Sequence, residues 1–173
     1  AEAVLAGGGR VLCVYNYKGI SKKERKGFSN EDIREALEKS FPDARVALMD
    51  REHPDLDPSA TILLTTNYFL ENIFNPFKPL PFGLVADLST DFPLRQPHFR
   101  ATERAAISAL EWRGVAHASK AKFLVQTDVP DLGFLGEIEG FARHRRTGKC
   151  LQGQRRDELL RVARHHHLHL GAG

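Results

Sequence analysis

The chain lacks the glycine signatures of the commonest nucleotide enzymes. Its 173 residues hold no Gly-x-Gly-x-x-Gly and no Gly-x-x-x-x-Gly-Lys-Ser/Thr, which argues against a nicotinamide dehydrogenase and a P-loop enzyme. Gly7-Gly8-Gly9 precedes the first apolar run instead of following it, so it cannot seat a pyrophosphate on a helix N-terminus. A Gly-x-Ser-x-Gly elbow is also missing, which argues against an α/β-hydrolase. Cysteine is scarce: Cys13 sits in an apolar run, Cys150 in a basic stretch, and there is no Cys-x-x-Cys pair. That usage suits the cytoplasm or another reducing compartment. No apolar run reaches the ~20 residues of a membrane span. Residues 1–5 have neither the basic nor the long apolar part of a secretory signal.

The remaining composition, 42% hydrophobic and 27% charged, is that of a soluble globular protein. The net charge of +3 is unevenly spread. Residues 1–142 carry 17 Lys and Arg against 20 Asp and Glu, while residues 143–173 carry 8 against 2. A second cationic cluster, Lys18, Lys22, Lys23, Arg25 and Lys26, surrounds a single Glu24. Clusters of this kind hold phosphates or form solvated surface.

Hydrophobic patterning gives five short strands, at 9–17, 44–50, 60–66, 81–91 and 122–127. Helical spacing appears between them. Ser29 with Asp32 makes an approximate capping box for a helix ended by Phe41-Pro42. A short helix follows over 67–74, with Asn67 as its cap. Another runs over 102–113, with Ala105, Ala106, Ala109, Leu110 and Trp112 inward and Gly114 as its stop. Further helices are expected over 134–146 and 154–164. Alternating strands and helices predict a three-layer α/β fold, a Rossmann-like, mainly parallel five-stranded sheet. The predicted domain spans 1–146, and 147–173 forms a basic, helical, His-rich extension. The 44–50 and 60–66 strands have no helix between them, so they pair antiparallel or through a loop crossover. The stretch Pro81–Asp91 reads as the central strand.

Ligands of open α/β sheets bind beyond the carboxyl ends of the strands. The first strand delivers Asn16, Tyr17 and Lys18 there, with Lys22 close behind. The second delivers Asp50, and the third Thr66 and Asn67. The fourth delivers Asp87, Ser89, Thr90 and Asp91, and the fifth Thr127 and Asp128. Asp87 and Asp91 are the candidate catalytic carboxylates, as base or as ligands of a divalent metal. Asn16, Tyr17, Lys18, Lys22, Asp50, Thr66, Asn67, Ser89 and Asp128 are the candidate ligand-binding set, with Lys18 and Lys22 neutralising phosphate. The same polar residues are also ordinary turn formers.

Residues 61–127 resemble part of the N-terminal Rossmann-like domain of GT-B glycosyltransferases. The resemblance rests on Thr61–Tyr68, on Leu84–Pro93 with its acids, on the helix carrying Glu103, Arg104 and Glu111, and on Ala121–Thr127. It implies a transferase whose acceptor cleft is lined by Asp87, Asp91 and Asn67, with a phosphorylated small molecule or sugar nucleotide as partner. In that family the sugar nucleotide sits mainly on a second domain, for which this chain has no counterpart.

Two other readings rest on the C-terminal segment. Arg143, Arg145, Arg146, Arg155 and Arg156 suit a non-catalytic role docking on RNA or on an acidic protein. His165, His167 and His169 alternate so that they would share one face of a strand. They resemble the histidine-triad signature of nucleotide hydrolases and transferases, with His166 and Gly171 at positions that should be apolar. The pair His167-Leu168-His169 also resembles the metal-binding pair of Rep-type and relaxase endonucleases, with Tyr15 or Tyr17 as nucleophile. A His-rich tract with adventitious metal affinity has the same composition.

Overall fold

The computed structural model describes residues 1–16, 28–78, 80–95 and 99–129. The cationic cluster at 18–26 lies outside them, as do Tyr17, the expected helices over 134–146 and 154–164, the arginines from Arg143 to Arg156, and the histidine tract. The chain is α/β, with a five-stranded, all-parallel sheet flanked by helices. All five expected strands form. They are β1 (Arg10–Val14), β2 (Val46–Met49), β3 (Ile62–Thr65), β4 (Phe82–Asp87) and β5 (Lys122–Val125).

Alternation along the strands builds two apolar layers. Leu12, Val14, Leu63 and Val85 face one side, where Phe69 of α3 (Tyr68–Asn72) and Trp112 and Val115 of α4 (Ala101–Ala118) cover them. Val11, Cys13, Ile62, Leu64, Leu84 and Ala86 face the other side, against Ile33 and Leu37 of α2 (Asn30–Ser40). Burial pushes the Cys13 thiol up to about 12, so it is a core residue and not a nucleophile. Among the described residues no helix is long and apolar enough to cross a membrane.

The strand order is β2-β3-β1-β4-β5. The centre is therefore β1 and not the 81–91 stretch, which supplies β4 beside it. Every residue of β1 from Val11 to Val14 is buried, as a strand flanked on both edges and both faces requires. The order differs from both familiar doubly wound orders, 3-2-1-4-5-6 and 2-1-3-4-5. After β1 the chain passes over α2 to the far edge, and β3 then returns to fill the gap. β2 and β3 run parallel, in register from Val46 opposite Ile62 to Met49 opposite Thr65. Their crossover is the loop between them, held by the Arg45–Asp57 ion pair at 2.9 Å and by Arg10, whose Nε donates to Ala60 O at 2.9 Å.

The helix starts and stops divide between local and tertiary causes. The capping box of α2 is complete: Asp32 N–H donates to Ser29 Oγ at 3.1 Å, and Ser29 N–H donates to Asp32 Oδ2 at 2.9 Å. The end of α4 departs from expectation. It runs straight through Gly114, because Val115 and Ala116 continue the buried stripe of Ala105, Ala109 and Trp112. The reversal comes at Lys120, at φ 54°. Leu110 does not point inward as expected: it lies about 140° round the helix from Ala105 and is 52% exposed. Asn67 stands at the start of α3 but its side chain does not cap it.

A short first helix, α1 (Glu2–Ala6), is an element the sequence pattern does not signal. Its Val4 seats over Gly9 and Gly83, where a Cβ would come within 2.7 and 2.8 Å of Val4 Cγ1. Those glycines are spacers that let α1 lie on the sheet.

The register of α4 makes a direct prediction. Trp112→Ala should cost about 3–5 kcal/mol in urea unfolding, whereas Leu110→Gln should stay within about 0.5 kcal/mol of the parent. Equal losses from the two would place the apolar face wrongly.

Candidate functional site

The connections leaving β1 and β4 diverge, since α2 carries the chain from β1 towards β2 and α4 carries it from β4 to β5. The switch point of the sheet is thus the gap between the carboxyl ends of β1 and β4, where ligands of such sheets bind. Backbone pairing persists up to that gap. Leu88 N–H donates to Val14 O, and Tyr15 N–H donates to Thr65 O, both at 2.9 Å. One residue later the ladder is replaced by side chains. Asn16 N–H donates to Ser89 Oγ at 2.9 Å. The Asn16 side chain turns the other way: its Oδ1 accepts Asn67 N–H at 2.7 Å, and its Nδ2 donates to Asn67 Oδ1 at 2.8 Å. Asn16, Asn67 and Ser89 thus join the ends of β3, β1 and β4. Tyr15 Oη donates to Phe28 O at 3.0 Å. That hydrogen bond engages the hydroxyl of Tyr15, one of the two nucleophiles the endonuclease reading offered; the other, Tyr17, lies outside the described residues.

Asp87 lies beneath the junction at 1% exposure. Its Oδ1 accepts Ser89 N–H at 2.9 Å and the Ser89 hydroxyl at 3.3 Å. The Ser89 oxygen is therefore oriented by Asp87 and presents its lone pair to Asn16. Loss of water around Asp87 pushes its carboxyl above the usual carboxylate range. Donors from Ser89 and Thr90 oppose that rise, and the nearby charge of Asp91 adds to it. Thr90 Oγ1 is itself buried and makes no hydrogen bond of regular geometry among the described residues, so its effect on Asp87 is that of a nearby dipole.

The other expected site residues fall elsewhere. Asp91 accepts the Thr127 hydroxyl on one carboxylate oxygen and Asp128 N–H on the other. Val129 N–H donates to Thr127 Oγ1 at 3.0 Å. These residues fasten the loop after β4 to the loop after β5, and Asp128 serves that clasp through its backbone. Asp50 ends the edge strand β2, about 10 Å and two strands from β1. It takes Glu52 N–H and His53 N–H, both at 2.9 Å, and the His53 ring at 3.1 Å. Burial raises its carboxyl, but the hydrogen bonds from His53, Glu52 and Asn30 outweigh that and hold it below the usual range. Asp50 is a turn cap. Thr66 Oγ1 accepts Tyr68 N–H at 3.2 Å and is likewise spent on its own turn.

A divalent cation on Asp87 and Asp91 does not fit this donor set. One carboxylate is buried on Ser89, and the other has both oxygens engaged. Among the described residues no group of three or more His, Cys, Asp or Glu is placed to hold a metal.

No protein-family model matches the chain, and no curated protein matches it. The junction therefore has to be interpreted from its own geometry.

Asp87 gives a signed pH prediction. Its folded-state pKa is raised, so its contribution to stability is full below the ordinary carboxylate value and is lost as pH rises through the raised one. Asp87→Asn keeps an acceptor for Ser89 and removes the buried charge. It should be more stable than the parent at pH 7 by on the order of 1–3 kcal/mol, with the gap closing towards pH 4. Urea unfolding across that range checks this, and an advantage over the parent that is absent at pH 7, or larger at pH 4 than at pH 7, would contradict it.

Proposed function

We propose that this protein binds a phosphorylated small molecule or sugar nucleotide at the carboxyl edge of its sheet, between β1 and β4. We further propose that its chemistry is group transfer of the glycosyltransferase type. The observation carrying the reading is the coincidence of the switch point with a polar junction made by three strand ends. Asn16, Asn67 and Ser89 meet there, oriented by hydrogen bonds of 2.7 to 2.9 Å over a buried Asp87. Polar side chains held in fixed rotamers beyond strand ends are the usual furniture of ligand sites in such sheets.

The roles then divide by exposure. Asn16 and Asn67 contact the ligand. Asp87, at 1% exposure, reaches it only through Ser89 and is a positioning residue in this reading. Asp91 contributes by holding the 127–129 turn against the β4 loop. In this reading Lys18 and Lys22, which lie outside the described residues, supply the cations for a phosphate. The Rossmann-like resemblance of residues 61–127 to the N-terminal domain of GT-B enzymes supports the transferase class.

Titration calorimetry with UDP-glucose, UDP, glucose 6-phosphate and inorganic phosphate tests this. At least one should bind in the micromolar to millimolar range, roughly −8 to −4 kcal/mol. Ser89→Ala should weaken that ligand about tenfold, near 1.4 kcal/mol. Silence from the whole panel would remove the reading.

A further inference from the structure

The side of α4 turned away from the sheet carries a short apolar stripe. At about 100° per residue, Glu103, Ile107, Leu110, Gly114 and His117 fall within about 80° of one another, and all five are exposed. Ile107 is 49% and Leu110 52% exposed. Gly114 leaves a notch in the stripe, since a Cβ built there would meet nothing within 4 Å. The order along the helix is acid, isoleucine, leucine, notch, histidine. Leu110 lies midway between Glu103 and His117, and within half a residue of midway between Ile107 and Gly114. The stripe is thus complementary to its own reverse.

A two-fold axis brings residue i of one copy onto residue j of the other, and j onto i. With the axis through Leu110 and two α4 helices antiparallel, Leu110 meets Leu110. Each Ile107 enters the notch at Gly114 of the second copy, and each Glu103 meets His117 of the second copy. Helices pack closely when a side chain on one fills a hole on the other. A parallel pairing would instead set Glu103 against Glu103 and leave the two notches facing each other. Arg104 and Glu111 fall to one side of the stripe, at a solvated rim. The Glu103–Arg100 pair at 3.6 Å is a surface contact of little worth. We infer that this chain self-associates through α4 as an antiparallel, two-fold dimer. The contact is a single helix about 27 Å long, less than a standard interface, so the dimer is weak. At the low micromolar concentrations of an unfolding experiment the chain is monomeric, and substitution at Leu110 leaves its stability unchanged there.

Sedimentation equilibrium of the full chain, from about 5 µM to about 1 mM, reads this directly. The parent should pass from monomer to dimer with a Kd on the order of 100 µM. Leu110→Glu sets two carboxylates on the axis and should remain monomeric. Gly114→Leu fills the notch and should weaken the dimer about tenfold, although it adds apolar surface. A parent that stays monomeric overturns the inference; if Leu110→Glu then lowers the unfolding midpoint, the stripe is covered by the chain itself. Dimerisation untouched by Leu110→Glu overturns it too, since the contact then lies elsewhere. So does a Gly114→Leu dimer as tight as the parent's or tighter, the mark of apolar association without fit. Should either variant fail to fold, Glu103→Lys should weaken the dimer and His117→Glu added to it should restore it. No weakening, or no restoration, overturns the inference.

Discussion

The hydrogen bond from Asn16 N–H to Ser89 Oγ sits where the sheet stops being a sheet. A central strand must leave between two neighbours, and its last amide loses its ladder partner there. A fully buried amide without an acceptor costs about 1–3 kcal/mol, and the part-buried Asn16 N–H would bear a share of that. Ser89 removes that cost only if its oxygen is turned towards β1, and Asp87 turns it. The reciprocal amide contact between Asn16 and Asn67 does the same work on the β3 side. Three strand ends thus depend on one serine hydroxyl and on the buried acid that orients it.

This arrangement follows from the strand order. With β3 inserted beside β1, the ends of β3, β1 and β4 are consecutive, and the connections of β1 and β4 part above them. The same order sends Asp50 to the far edge and leaves Asp91 on the β5 side. Asp87 remains at the centre at an energetic cost, since its carboxyl is raised by lost solvation and only partly offset by Ser89 and Thr90. A fold selected only for stability would gain from an amide at that position.

Much of the architecture was legible because its causes are local. The strands follow from short β-branched and apolar runs, and α2 from the Ser29–Asp32 box, whose two hydrogen bonds span three residues. What failed depended on distant packing. Gly114 reads as a helix stop until Val115 and Ala116 are seen to extend a stripe over the sheet. The centrality of β1 rests on a strand that skips a place, which no periodicity reveals. Asn16, Asn67, Ser89 and Asp87 could be named from the strand-end rule. Their partnerships span 51 residues for the two asparagines and 73 for Asn16 with Ser89, beyond any local pattern. Asp50 and Asp128 satisfied the same rule and proved to be turn residues, because turn chemistry and site chemistry draw on the same side chains.

Hydrogen exchange at the Asn16 amide in a Ser89→Ala variant tests the central claim most directly. Leu88 and Tyr15 provide internal references, since their amides bond to backbone on either side of the junction. The account predicts that Asn16 N–H exchanges about 10–100-fold faster in the variant while the two references hold, a local opening at the strand ends. Exchange at Asn16 that does not change, or that rises together with both references, would contradict it.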